Sequence, residues 1–410
     1  MNPTITNPTG NSRSLKSQNR LLVREIIRKH GPIARSQVAK LSGLAPPTVT
    51  VIVNEFFQAG ILREIGHGES TANGGRRPVM LELNARAAFA VAVRIQLGEV
   101  VVALLDLAAR ILARRTARLD TSQPVAVVAA VQETFGEILK ETGVKRDKVL
   151  WCGVASPGLV DSNRMVAVSA NLGWGRVPLA DLLSEALSGM PVHVENIANA
   201  AAYGEMEFGQ GRGSGNIICV NLSYGIGAGI VIGGELYRGT SGFAGEVGHM
   251  ILDPLGGPKC VCGGYGCFEA ICGLQAVCAL VQARVPAEKL ARYGKTQGNL
   301  PIDEILAPPL AGLPEVQEIL HRTGRLVGAV MVSLIRAFNP DTVILSGELV
   351  KTGDAILNAV IREVEARIPE RAWGSVRIVK SDMMEDPRLM GVYALVLEKI
   401  FQMHAWTRQA

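Results

Sequence analysis

Three of the seven cysteines in this chain lie within eight positions of one glycine-rich stretch. The stretch reads KCVCGGYGCFEA, so that Cys260, Cys262 and Cys267 are followed two residues later by the carboxylate of Glu269. Zinc binds four soft or borderline ligands in a tetrahedron, and glycines let a backbone bend sharply enough to deliver them. The spacing therefore indicates a metal site that lacks one ligand, with unligated thiols as the alternative.

His249 is the predicted fourth ligand. A loop of only ten residues separates it from Cys260, and a neutral imidazole completes a Cys3His site. We expect a structural zinc ion held by His249, Cys260, Cys262 and Cys267. The remaining cysteines lie in apolar segments and are expected in the core.

The size and composition of the chain predict a folded protein of several domains. A chain of 410 residues is longer than one ordinary hydrophobic core supports, and 48% of its residues are hydrophobic. No charged start followed by an apolar stretch opens the chain, and no run of 18 apolar residues occurs, so secretion and membrane insertion lack support. We expect a cytoplasmic protein, in which clustered cysteines indicate metal rather than disulfides.

The positive charge of the chain is concentrated at its N-terminus. Residues 1–80 hold 11 Lys and Arg against 4 Asp and Glu, a net charge of +7, whereas the rest holds 31 against 33, a net charge of −2. This asymmetry favours a small module that faces a polyanion, joined to a larger and nearly neutral body. An ordinary solvated surface is the alternative.

The basic region has the pattern of a winged helix-turn-helix domain over residues 15–84, after a disordered arm over residues 1–14. Helices are predicted from Asn19 to His30, from Arg35 to Leu41, and from Pro46 to the turn at Gly60. Two strands follow, with a glycine-rich loop between them, and form the wing. A three-helix bundle that does not bind DNA is the alternative.

Two parts of this domain are predicted to contact DNA. If the third helix enters the major groove, then Thr48, Thr50 and Asn54 face the bases, and only Asn54 can make a strong bidentate contact. In the wing, the backbone of GGRRP is thin enough for Arg76 and Arg77 to reach a narrow minor groove. An unrelated surface loop is the alternative for that motif.

The body shows the same order of elements twice. Three apolar runs typical of consecutive antiparallel strands begin at residue 89 and are followed by a helix and a strand; a second such series begins at residue 216. Two β-β-β-α-β-α halves are typical of the α/β actin-like ATPase fold, which is sugar-kinase-like and ribonuclease H-like and binds ligands between its lobes. We place the lobes at residues 85–202 and 203–401, with the zinc loop in the second.

The cysteine motif also resembles a known family. Glu246-x-Gly248-His249, followed by Cys-x-Cys-Gly-x2-Gly-Cys-x-Glu, is similar to the signature of the ROK family, which contains bacterial sugar kinases and sugar-responsive repressors. The resemblance covers roughly residues 88–401. The winged helix ahead of it is what the repressor branch adds, as in the xylose and N-acetylglucosamine repressors and the glucose-uptake repressor Mlc.

The resemblance implies a set of sugar-binding residues. In the family the histidine joins the metal to the sugar, and the paired glutamates contact sugar hydroxyls. Zinc would then hold the glycine-rich loop, so that these side chains meet the ligand already oriented. By motif position, the implied sugar ligands are Gly158, Asn171, Asn196, Glu246, His249 and Glu269.

The resemblance also shows where a kinase motif is missing. Family kinases carry Asp after the Asn of the Glu-Asn motif, whereas this chain has Ile197, which cannot accept a proton. Their first phosphate motif, Asp-x-Gly-Gly-Thr, is replaced by residues 94–98, beginning with Arg94. The stretch SYGIGAG at residues 223–229 resembles the second phosphate loop, which alone is weak evidence. We expect no catalytic residues and no phosphoryl transfer.

These features predict a sugar-responsive DNA-binding regulator, most simply a repressor of genes for carbohydrate uptake or catabolism. Its partners would be double-stranded operator DNA and a small sugar effector, and it would act as a homodimer or as a tetramer of paired dimers. The competing hypothesis is an active ATP-dependent sugar kinase with an appended DNA-binding domain. Control by a membrane transporter protein, as for Mlc, is a third possibility.

Overall fold

The computed structural model describes residues 12–68, 77–161, 163–292, 310–369 and 376–402. Within these ranges, no helix combines the length and hydrophobicity that a bilayer crossing requires. Three parts follow one another along the chain. The first is an N-terminal module, and the other two are lobes that are each built on a five-stranded sheet.

The N-terminal module contains three helices and a small antiparallel sheet. Its helices are α1 (Ser12–His30), α2 (Arg35–Ser42) and α3 (Pro46–Gln58). Its strands β1 (Ile33–Ala34), β2 (Leu62–His67) and β3 (Val79–Leu83) are arranged in the order β1-β3-β2. This is the predicted winged helix-turn-helix arrangement, with β2 and β3 as the wing.

Local sequence explains the ends of these helices. Gly43 ends α2 in the left-handed conformation at φ +68°, and two prolines occupy the first turn of α3, where a missing N–H costs little. The prediction of a disordered arm was wrong for residues 12–14, because α1 begins at Ser12. Residues 12–14 read Ser-Arg-Ser and contain no apolar residue, so they show no helical periodicity in the sequence. Residues 1–11 lie outside the described residues.

The first lobe is built on a sheet of strand order β10-β7-β4-β5-β6. Its strands are β4 (Phe89–Gln96), β5 (Glu99–Asp106), β6 (Ile111–Arg118), β7 (Val149–Ser156) and β10 (Val192–Asn196). A two-stranded ribbon, β8 (Leu159–Val160) with β9 (Val166–Val168), follows β7. Helices α4 (Pro124–Thr142) and α5 (Leu179–Ala186) cover the sheet, and α6 (Ile197–Phe208) leaves it.

The second lobe repeats this plan with the order β13-β12-β11-β14-β15. Its strands are β11 (Ile217–Leu222), β12 (Ile226–Ile232), β13 (Glu235–Leu236), β14 (Thr342–Ser346) and β15 (Arg377–Lys380). Each sheet joins an antiparallel three-strand meander to two parallel strands, which confirms the predicted repeat and the actin-like ATPase fold. Among the described residues of this lobe, the helices are α7 (Phe268–Cys272), α8 (Leu274–Arg284), α9 (Ala287–Ala291), α10 (Pro314–Phe338) and α11 (Ala355–Arg367).

The last helix, α12 (Pro387–Gln402), returns to the first lobe and packs on α6, β7 and β4. Glycines permit a very close approach. A Cβ at Gly391 would lie 1.7 Å from the carbonyl oxygen of Ala200, and one at Gly204 would lie 2.1 Å from that of Pro387. The last helix of the chain thus completes the core of the first lobe. From the sequence, residues 387–401 are predicted to belong to the second lobe instead.

The N-terminal module is packed against the body through the end of α12. One cluster of buried side chains runs from α1 and α3 through Phe401 into the first sheet. The Phe56 and Phe401 rings meet edge to face with centroids 5.9 Å apart, and the guanidinium of Arg24 lies 5.0 Å from the centre of the Phe401 ring. Helix α3 and the last helix of the body therefore share one core.

Candidate functional site

The predicted metal ligands converge in the second lobe. One ligand atom from each of His249, Cys260, Cys262 and Cys267 lies within 4.8 Å of the others. The Sγ atoms of Cys262 and Cys267 are 3.7 Å apart, and Cys260 Sγ is 3.6 Å from His249 Nδ1. A zinc tetrahedron with Zn–S bonds of about 2.3 Å has edges of about 3.8 Å. The donor set and its spacing fit a tetrahedral metal ion.

Glycines shape the loop that carries the cysteines. Gly266 has φ +68°, and a Cβ there would lie 1.9 Å from the carbonyl oxygen of Asp253. The backbone turns back on itself, since the N–H of Cys260 donates to the carbonyl of Gly264 at 2.8 Å. The loop has few apolar side chains of its own to bury, so a metal ion is the group that would fix its shape.

His249 lies between the cysteines and a carboxylate. Its Nδ1 faces Cys260 Sγ, while its Nε2 is 3.9 Å from Oε2 of Glu246. It belongs to a 3-10 turn over Val247–His249, at the end of a glycine-rich segment that crosses β12 closely. A Cβ at Gly248 would lie 2.1 Å from the Ile226 carbonyl oxygen. The imidazole is thus placed to bridge a metal ion and a ligand in the cleft.

Glu269 is oriented by the start of β12. It lies in the first turn of α7, two residues after Cys267, and its Oε2 accepts a hydrogen bond of 2.8 Å from the N–H of Ile226. Burial raises the pKa of Glu269 and of Glu246. Two partly desolvated carboxylates beside an imidazole are suited to accept hydrogen bonds from hydroxyl groups.

Gly225 marks the point where the lobes meet at this site. A Cβ on Gly225 would lie 2.6 Å from Nδ2 of Asn171 and 3.1 Å from Oε2 of Glu269. Asn171 comes from a 3-10 turn of the first lobe and Glu269 from the second, so the structure brings these two predicted residues together. The sequence did not single out Gly225 as a site residue. The only hint in the sequence was that Gly225 is one of the glycines of the SYGIGAG stretch, where a missing side chain leaves room for neighbouring groups.

Asn196 and Gly158 form a wall of the cleft. The Asn196 side chain caps α6, because its Oδ1 accepts from the N–H of Ala198 at 2.7 Å, and its Nδ2 donates to the Gly158 carbonyl at 2.8 Å. Gly158 has φ +101°, and a Cβ there would lie 2.4 Å from the Val168 carbonyl oxygen. Most of the Asn196 amide is used within the protein, so its contact with a sugar stays a prediction.

Glu195 supports this wall from behind. Its Oε1 accepts from Asn199 at 3.0 Å, and its Oε2 accepts from the guanidinium of Arg238, across the lobes, at 2.8 Å. Burial alone would raise the pKa of Glu195, but hydrogen bonding and the charge of Arg238 outweigh it and hold the pKa at about 2. Glu195 is the Glu of the Glu-Asn motif, and no local sequence pattern predicts its ion pair with Arg238.

Charged residues meet at the other end of the cleft. Arg94 pairs with Glu99 and, at 2.9 Å, with Asp386, and Arg388 pairs with Asp386 and with Glu348. These residues come from β4, from the start of α12 and from the segment after β14, so the network spans both lobes. Ile197 occupies the first position of α6.

The predicted DNA contacts differ in exposure. Asn54 is exposed on α3, whereas Thr48 and Thr50 are half-buried, and the Thr50 hydroxyl donates to the Pro46 carbonyl at 2.9 Å. Arg77 is exposed at the end of the wing loop. Arg76 lies outside the described residues. Asn54 and Arg77 are therefore accessible to a ligand, whereas the hydroxyl hydrogen of Thr50 is already used in a hydrogen bond within α3.

Comparison with known proteins agrees with this architecture. A model of the ROK family matches residues 90–399. A xylose repressor from Bacillus spizizenii is 30% identical over 385 residues, which cover 93% of this chain and 95% of the repressor.

Two solved structures are similar over different parts of the chain. A ROK family transcriptional regulator, described as a homolog of the E. coli MLC protein, has a TM-score of 0.79 and 26% identity and covers 96% of this chain and 99% of its own. A ROK family glucokinase from Streptomyces griseus, solved with glucose and AMPPNP, has a TM-score of 0.66 and 27% identity, and covers 75% of this chain and 99% of its own. The regulator matches nearly the whole chain and the kinase about three quarters of it.

Proposed function

Because this chain belongs to the ROK family, we propose that it is a transcriptional repressor that responds to a sugar and binds operator DNA through its N-terminal module. One observation carries the proposal: Asn171 of one lobe and Glu269 of the other meet at Gly225, beside His249 and the thiols. A sugar held there would touch both lobes, so that its binding favours one closure angle. The winged helix-turn-helix supplies the DNA-binding function.

Xylose is the first effector to test, because xylose repressors are among the relatives of this chain. A pentose presents hydroxyl groups, and Glu246, Glu269 and Asn171 offer acceptors and one amide donor group at the site. A thermal-shift panel of pentoses, hexoses and N-acetyl hexosamines identifies the effector. A hit that also releases operator DNA at a stated salt concentration supports the proposal, and a panel without any hit contradicts it.

The metal ion that suits the cluster is zinc, in a structural role. His249, Cys260, Cys262 and Cys267 would hold it. Bound zinc would fix the imidazole of His249 through Nδ1 and leave Nε2 directed at Glu246 and the sugar. The glycine-rich loop would then be ordered before the sugar arrives, which reduces the entropy lost on binding.

We propose that the cleft does not transfer phosphate. The side chain of Ile197 cannot accept a proton, and a missing general base costs about 10²- to 10⁴-fold in rate. Arg94, which stands where the first phosphate motif of the kinases would begin, is held in ion pairs with Glu99 and Asp386, which supports the loss of that motif. The rival hypothesis, an active sugar kinase, requires sugar-dependent ATP turnover by the full chain, and a coupled assay measures it directly.

The structure supports a route from the cleft to the DNA-binding module. Asn196 caps the start of α6, and α6 packs on α12 with Gly391 against Ala200. Helix α12, about 24 Å long, carries Phe401 into the core of the N-terminal module. A change of closure angle that moves α6 would therefore move α12 and the winged helix together.

We further propose that the chain acts as a homodimer, or as a tetramer of paired dimers, on a palindromic operator. A symmetric dimer presents two winged helices at a fixed spacing, and half-sites about one helical turn or a multiple of it apart match this symmetry. A closure that changes the spacing by a few ångströms would prevent both modules from engaging at once. Sugar would thereby weaken operator binding, with a coupling of about 1 to 3 kcal/mol.

A further inference from the structure

Helix α3 exposes one narrow stripe of side chains. Beyond Pro46 in its first turn, its exposed residues are Pro47, Val51, Asn54 and Gln58. Spacings of four, three and four residues place them within an arc of about 60°, at about 100° per residue. The buried residues of the helix lie on the opposite face and are Val49, Ile52, Val53 and Phe56. The core behind the helix therefore fixes the direction in which the stripe points.

Val51 lies in the middle of this stripe. It is 52% exposed, between Pro47 and Asn54 along the face, whereas Thr48 and Thr50 are half-buried at the sides. A β-branched side chain on a helix has one strongly preferred rotamer, so its two methyl groups are held in a fixed position. Val51 thus presents a small, rigid apolar surface where the sequence predicts threonine hydroxyls.

The stripe carries no charged side chain. Helix α3 contains no Lys or Arg, and its one carboxylate, Glu55, is directed to α1, where it pairs with Lys16 at 3.2 Å and with Arg20. In the major groove, guanine is contacted most often by Arg or Lys, and cytosine by Glu or Asp. The stripe therefore lacks the side chains that favour a G·C pair.

The groups of the stripe match the major-groove edge of A·T pairs. Adenine presents N7 and the N6 amino group to a side-chain amide, and thymine presents a 5-methyl group to an apolar side chain. Val51 and Asn54 are three residues apart, about 4.5 Å along the helix axis, and base pairs are stacked about 3.4 Å apart. These two side chains therefore reach neighbouring base pairs.

Positive charge around the stripe favours DNA over a protein partner or a second copy of the chain. Residues 1–80 carry a net charge of +7. Lys40 is exposed on α2, which packs on α3, and Arg77 is exposed at the end of the wing loop. Cations beside a neutral recognition face suit a duplex, because phosphate contacts position the protein while the face between them meets the bases.

We propose that Val51 packs on the methyl group of a thymine, in the base pair next to the one whose adenine Asn54 contacts. Helix α3 then recognises two adjacent A·T pairs in each half-site. This assignment rests on the operator-binding function proposed above, and it adds a residue and a base that set the specificity.

Removal of single thymine methyl groups tests the assignment. Full-length protein without sugar selects its binding site from a randomised duplex library, and each thymine of one half-site is then replaced in turn by deoxyuracil. We expect one of these replacements to weaken binding by about fourfold, which is the effect of burying one methyl group. A half-site in which no thymine is sensitive to the replacement contradicts the assignment.

Val51→Ala locates the methyl contact. The variant is expected to bind the thymine and deoxyuracil duplexes equally, because the methyl groups of Val51 that cover the base are gone. Alanine is the best helix former and the position is exposed, so the variant is expected to fold. Val125→Ala makes the same change at a residue of α4 that is 78% exposed, and it is expected to keep the fourfold difference. A fourfold difference that persists in Val51→Ala overturns the proposal.

Repeated selection with Asn54→Ala tests the order of the two bases. We expect the preference for adenine to be lost at the pair next to the methyl-sensitive thymine, and a loss two or more pairs away contradicts the arrangement. A selected site that wild type binds tightly but that is indifferent to deoxyuracil refutes the role of Val51 and leaves the repressor function intact. A library from which no sequence is enriched refutes operator binding, and this assignment with it.

Discussion

The ring of Phe401, at the end of the last helix of the body, packs edge to face on the ring of Phe56 in α3 of the N-terminal module, with 5.9 Å between their centroids. This contact joins the proposed DNA-binding module to a helix whose other end, at Arg388, pairs with Glu348 and Asp386 in the cleft. A repressor needs such a connection, because a ligand changes DNA affinity only if it biases an element shared by both sites.

Phe401→Leu tests this connection. The smaller side chain keeps the apolar character but loses the ring contact with Phe56 and the stacking of Arg24, which together are worth about 1 to 2 kcal/mol. We expect the variant to bind operator in the absence of sugar. The factor by which sugar weakens operator binding is expected to be at least about fivefold smaller in the variant than in wild type. Fluorescence anisotropy with labelled operator, with and without xylose, measures both affinities. Val125→Ala is the control, since Val125 is 78% exposed at the start of α4 and is not part of this core. An unchanged sugar response in Phe401→Leu would exclude the proposed route.

Removal of the metal is expected to abolish the sugar response. Elemental analysis should find one zinc per chain, and Cys262→Ser should lower that content, because a hydroxyl is a poor ligand for zinc. The variant is expected to retain operator binding and to lose most of the thermal shift caused by sugar. Cys152→Ala removes a buried thiol of the first lobe instead and should keep its zinc. Protein free of metal that still responds to sugar would refute the structural role of zinc.

Operator contacts are expected to divide into base and phosphate contacts. Asn54→Ala should cost about 1 to 3 kcal/mol at one base position and relax the preference there. Arg77→Ala should weaken binding to all sequences and reduce the slope of log affinity against log salt by about 1. Arg176→Ala, an exposed arginine of the body, is the control and should change neither quantity. A salt slope that Arg77→Ala leaves unchanged would show that the wing does not contact the phosphate backbone.

The Glu195–Arg238 ion pair is expected to make stability depend on pH. The pKa of Glu195 is about 2 in the folded protein against an ordinary value of 4.5, so its contribution is complete above pH 4.5 and is lost as the pH falls toward 2. Glu195→Gln should reduce the free energy of unfolding by about 3 kcal/mol at pH 7, and the difference from wild type should shrink below pH 4.5.

Urea unfolding at pH 7, 5 and 4 measures this difference. Glu141→Gln is the control, because its ion pair with Arg115 is about half exposed and contributes less than about 1 kcal/mol. A difference between Glu195→Gln and wild type that grows as the pH falls would contradict the depressed pKa.

Much of the fold was predictable because its signals are local. The three helices of the winged domain and the two strand meanders follow from apolar periodicity and from Gly or Pro at their ends, as with Gly43 and Pro46. The return of α12 to the first lobe was not predictable in this way. Gly204 and Gly391 look unremarkable in sequence, and only their close crossing shows why a side chain is excluded at each.

The site was predicted in part. The spacing of Cys260, Cys262, Cys267 and His249 identified the metal cluster, because four ligands on one loop leave little freedom of arrangement. The meeting of Asn171 with Glu269 depends on how two lobes close, which no local pattern records. The same holds for the Glu195–Arg238 pair, which joins residues of different lobes.

The central claim is that a sugar held by Glu269 releases the operator without being phosphorylated. The direct measurement is an operator-binding titration against xylose, or against the effector found in the thermal-shift panel, for wild type, Glu269→Gln and the exposed control Glu185→Gln. The account predicts that sugar weakens operator binding by about 5- to 150-fold in wild type and in Glu185→Gln, and has no effect in Glu269→Gln, whose affinity without sugar is unchanged. Release by sugar that persists in Glu269→Gln would contradict it.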